Sequence, residues 1–101
     1  MLIFELIDED YEIIDLGEEH DTLSSLLDID RILFFIDSLN SKVWVWEGKN
    51  TDTKMKFIAA KIASTIRDKY GITYTIIIVD QDDEPEEFLS MLKLETQISI
   101  S

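Results

Sequence analysis

The chain has 101 residues, 22 acids against 9 bases and a formal net charge of −13; this is one domain, long enough to bury roughly 60–68% of its unfolded surface. So large an acidic excess argues against nucleic acid as the main partner, because phosphate contacts need a basic surface, and against docking on an anionic membrane. No cysteine and one histidine, His20, exclude disulfides, thiolate sites, a cysteine nucleophile and a multi-histidine metal centre.

Leu2–Ile7 reads as a strand, with Ile3, Glu5 and Ile7 on one face and Leu2, Phe4 and Leu6 on the other. Asp8–Asp10 is a polar turn and Tyr11–Leu16 a second strand, so the two suggest a hairpin. The start carries no basic residues, so it is not a secretory signal, and cytoplasmic is the expected location. Gly17–Ser25 is a polar loop with room for a helical turn at Thr22–Leu26. His20, between Glu19 and Asp21, reads as a surface residue. Arg31–Ile36 is a continuous apolar run, the pattern of a strand buried on both faces. Asp37–Ser41 is a turn, and Lys42–Trp46 a strand hairpinned to the run before it. Gly48 then punctuates.

Thr51 or Asp52 can cap a helix that runs to about Tyr70, where Gly71 supplies the stop. Its apolar stripe is Met55, Ile58, Ala59, Ile62, Ala63, Ile66 and Tyr70. The opposite face carries Lys54, Phe57, Lys61, Ser64, Thr65 and Asp68. Thr73–Val79 is strongly β-branched, the composition of a central strand. Asp80–Glu84 is an acidic loop without the glycine and acid spacing of an EF-hand. Pro85 suits the first turn of a second helix, which Glu86 and Glu87 favour through its dipole. Ile98 and Ile100 allow a final short strand. No stretch reaches the ~18 apolar residues of a membrane span. The order implies an α+β domain, residues 1–101, with helices packed on a mixed sheet.

Charge is uneven along the chain. Residues 1–30 hold eleven acids and no base, whereas residues 42–69 hold seven of the nine bases and three acids. The middle segment is thus a locally basic element in an acidic protein.

Three pieces, in order, carry a family resemblance. They are Ile32-Leu-Phe-Phe-Ile-Asp37, then Val43-Trp-Val-Trp-Glu-Gly-Lys49 with a W-x-G-K signature, then Val79-Asp-Gln-Asp-Asp-Glu-Pro-Glu-Glu-Phe88 with a Q-x-x-E-P-x-x-F signature. From Arg31 to Met91 the chain resembles a gelsolin-like domain. The resemblance implies a gelsolin-like fold: a five- to six-stranded mixed sheet between a long helix, Asp52–Tyr70, and a short one, Pro85–Lys93. It implies actin binding through the outer face of the long helix, which here is Phe57, Lys61, Ser64, Thr65 and Asp68. The expected function is regulation of actin assembly by monomer sequestering, nucleation or capping. A lone domain has one such helix, so severing is not expected. The partner is actin or an actin homologue, and the protein itself a monomer or weak dimer. The alternative is a docking module of the same fold that does not touch actin. The acidic, isoleucine-rich composition suits a prokaryotic or archaeal source.

Many family members bind calcium inside the domain. Carried over, the strand acids are Asp28 and Asp30, but the position of the helix glutamate is Met55, which cannot ligate calcium. A second site between protein and actin would use Asp68 and the Gly71 carbonyl; a solvated Asp68 is the favoured reading. No catalytic function is expected. There is no nucleophile elbow, and Gly17, Gly48 and Gly71 form no phosphate loop.

Overall fold

The computed structural model describes residues 2–7, 12–17 and 26–100, with side chains for 2–7 and 26–93. The elements are β1 (Leu2–Ile7), β2 (Glu12–Gly17), β3 (Ile32–Asp37), β4 (Lys42–Glu47), α1 (Thr53–Tyr70), β5 (Thr75–Asp80) and α2 (Glu86–Ile100). The five strands form one mixed sheet in the order β2-β1-β3-β4-β5. Its pairs are antiparallel except β4–β5, which is parallel. Both hairpins expected from the sequence are therefore present. The loop at 18–25, with His20, lies outside the described residues.

The sheet lies between the two helices because its central strands are apolar on both faces. Ile32, Phe34, Ile36, Val43 and Val45 pack beneath α1, against Ile58, Ala59, Ala63 and Ile66. Leu33, Phe35, Trp44, Trp46 and Val79 pack beneath α2, against Phe88, Met91 and Leu92. Every residue of β3 is buried. This is the α+β layering expected from the apolar run.

Two expectations are corrected. Ile98 and Ile100 belong to α2, not to a final strand; no glycine or proline follows Pro85 to end the helix, so it continues past Lys93. And β5 is not central but lies at the edge of the sheet. Its β-branched run suits any pleated position, and composition alone does not say whether one or both edges are paired.

Candidate functional site

The long helix has two sharply different faces. Asp52 caps it, its Oδ1 accepting from the Met55 amide at 2.8 Å, which leaves Thr53 as the first helical residue. Gly71 ends it at φ 152°, its amide donating to the Arg67 carbonyl at 2.7 Å; that φ is open to glycine and strained for other residues. Ile58, Ala59, Ala63 and Ile66 are buried, and Met55, Ile62 and Tyr70 are partly buried against the same cluster. Ala59 and Ala63 have no side chain beyond Cβ, so the helix lies close to β3 and β4.

The outer face gathers all five residues expected there. Phe57 is 61% exposed, so it does not pack into the domain's own core. The Lys61 ammonium sits 4.6 Å from the centre of the Phe57 ring, a cation–π contact one turn along the helix. Ser64 and Thr65 turn their hydroxyls back to the Ala60 and Lys61 carbonyls at 3.3 and 3.2 Å, which leaves a low, smooth stretch. Asp68 is exposed, with Oδ1 at 3.7 Å from the Arg67 Nε. Beyond the helix end, Ile72 is 84% exposed. Sequence reasoning missed Ile72, because it lies past the helical periodicity that ranked the others.

The two signature motifs prove to be one physical unit. Trp46 Nε1 donates to Glu84 at 3.0 Å, and the Lys49 amide donates to Gln81 Oε1 at 2.8 Å. Phe88, the last residue of the second motif, is fully buried beneath the sheet, 5.5 Å from the rings of both Phe35 and Trp44. Gly48 explains itself by space: a Cβ there would lie 2.5 Å from the Ile29 carbonyl oxygen and 2.6 Å from that of Asp28.

Asp28 and Asp30 sit in the exposed turn before β3. Asp28 Oδ1 accepts from the Asp30 amide at 3.0 Å, and Asp30 Oδ1 from Asn50 Nδ2 at 3.1 Å. Calcium needs six to eight oxygen ligands. Here both carboxylates already brace the turn, and Met55 offers sulfur at the helix position. Among the described residues no three acidic or histidine side chains converge on a metal position.

A carboxyl pair that the sequence reading did not single out lies at the same end of the sheet, where β4 and β5 finish. Glu47 and Asp80 are register partners at the ends of β4 and β5. Strand alternation places both on the α1 face. Glu47 is buried, and its carboxyl is pushed up from 4.5 to about 7, first by burial and then by the hydrogen bond to Asp80 and its charge, against a smaller pull from Lys56. The signal is a register match, visible only once the strands are paired.

No family model matches the sequence, and no curated protein does. Among solved structures, the chain superposes on Thorarchaeota ProGel, solved in complex with rabbit actin, with a TM-score of 0.78. The chain has the gelsolin-like fold. Identity to ProGel is 22%, over 91% of this chain and 99% of ProGel. A second archaeal neighbour, Thorarchaeota 2DGel3, also solved with rabbit actin, gives a TM-score of 0.64 at 23% identity, over 88% of this chain and 43% of 2DGel3. The chain thus spans less than half of that protein. Among the described residues, no helix is long and apolar enough to cross a membrane.

Proposed function

We propose that this protein binds actin, or an actin homologue, through the outer face of α1 and so regulates filament assembly. The observation that carries the reading is Phe57, an exposed aromatic in the second turn of a long helix whose other face is fixed to the sheet. A rigid helix with an aromatic anchor and a low polar flank suits insertion into a groove on a partner. Two neighbours of the same fold were solved with rabbit actin. One such helix per chain favours monomer sequestering or end capping over severing. The setting is the cytoplasm. The reading does not depend on calcium at Asp28 and Asp30, where Met55 stands at the position of the helix glutamate.

Pyrene-actin polymerisation, run with calcium and with a chelator, tests this. The expected result is a changed lag or plateau that is the same in both conditions. Unchanged kinetics with eukaryotic actin and with an archaeal homologue would move the reading to a docking module for another partner.

A further inference from the structure

β5 combines the position of an edge strand with the composition of a central one. It reads Thr-Ile-Ile-Ile-Val-Asp, with no lysine, no proline and no bulge, the usual devices that keep a sheet edge from pairing. Its Thr75 amide bonds the Ser41 carbonyl, and the Gln81 amide bonds that of Glu47. In a parallel ladder this alternation commits residues 75, 77, 79 and 81 to β4. Ile76, Ile78 and Asp80 therefore turn their backbone N–H and C=O groups outward, and Ile78 is 47% exposed.

We propose that β5 pairs antiparallel with β5 of a second copy of this chain, extending the sheet across a two-fold axis. Two features select that occupant. The first is charge. The last turn of α1, just before β5, carries Arg67 and Lys69, and the end of β5 with the segment after it carries Asp80, Asp82, Asp83 and Glu84. A two-fold antiparallel pairing sets the acidic end of each copy against the basic helix end of the other. The second is register. A pairing centred on Ile77 opposes Ile76 with Ile78 of the partner, and Thr75 with Val79, and sets Asp80 beside Tyr74. The register shifted by one step would oppose Asp80 with Ile76 instead, and the strand would lose its match of apolar with apolar. One short strand pair buries little surface, so the dimer is weak, and the outer face of α1 stays free.

The test uses the whole chain. Sedimentation velocity from about 5 to 500 µM is expected to show a monomer–dimer equilibrium. Ile78→Lys should weaken it at least tenfold while far-UV circular dichroism is unchanged. Lys69→Glu and Asp83→Lys should each weaken it, and the double variant should recover most of the loss. Because the chain has no cysteine, Ile77→Cys gives a single thiol at the axis, and air oxidation should yield a disulfide-linked dimer. A wild-type chain that stays monomeric throughout would overturn the proposal and leave the edge to a strand of another protein. Cross-linking through Ile78→Cys but not Ile77→Cys would overturn the register. These readouts contain no actin, so they fail or succeed apart from the actin reading.

Discussion

On one face of the sheet α1 rests through two alanines on a mainly aliphatic floor of Ile32, Ile36, Val43 and Val45, with Phe34 among them. On the other, α2 rests through Phe88 on Phe35 and Trp44. The aliphatic side brings helix and sheet close, and the eighteen-residue helix is held along its length. The aromatic side is pinned at points, with each tryptophan indole also tethered: Trp44 Nε1 donates to Asp37 at 3.3 Å and Trp46 Nε1 to Glu84 at 3.0 Å. The difference assigns the helices separate tasks. α2 closes the core, whereas α1 is a fixed rail whose outer face is open to a partner.

That contrast can be broken by mutation, beginning on the aromatic side. Phe88→Ala should cost about 3–5 kcal/mol, because a fully buried ring is replaced by a cavity; urea unfolding followed by tryptophan fluorescence measures it. Ile58→Ala, on the aliphatic side, should cost about 2–4 kcal/mol in the same assay. An effect below about 0.5 kcal/mol would mean that the faces of α1 are reversed.

Next comes the carboxyl pair at the corner of β4 and β5. The unfolded chain gives up the Glu47 proton near pH 4.5, and the folded chain holds it to about pH 7. Between those values the folded state binds the extra proton, so this group's contribution to stability falls as pH rises through the window and then levels off. The total change is roughly 1–3 kcal/mol. Glu47→Gln should flatten that slope in unfolding curves taken from pH 4.5 to 8. An unaltered slope in the variant would assign the pH dependence to other groups.

The smallest expected effect on stability is on the open rail. Phe57→Ala should shift the unfolding free energy by less than about 0.5 kcal/mol, since its ring lies largely in solvent. A large melting shift would place Phe57 in the fold rather than in the contact.

Much of this arrangement is legible in the residues. The spacing of Ile58, Ala59, Ala63 and Ile66 marks the inner face of α1, and the same spacing leaves Phe57 and Lys61 outside. The continuous run at Ile32–Ile36 marks a strand covered twice. What could not be read are relations between distant segments. The bond from Trp46 to Glu84, the meeting of Glu47 with Asp80 and the edge position of β5 all depend on which strands become neighbours. Local pattern carries periodicity, not neighbourhood. The end of α2 failed for a different reason: Ile98 and Ile100 alternate like a strand, but two residues are too few to overrule a helix with nothing to stop it.

The most direct test of the two-sided account compares actin binding by the wild-type chain, Phe57→Ala and Leu89→Ala. Leu89 is also an exposed apolar residue, 49% accessible, but it lies on α2. The account predicts that Phe57→Ala weakens binding by more than about 1 kcal/mol while Leu89→Ala leaves it unchanged. Equal affinities for all three, or a loss confined to Leu89→Ala, would contradict α1 as the actin-binding face.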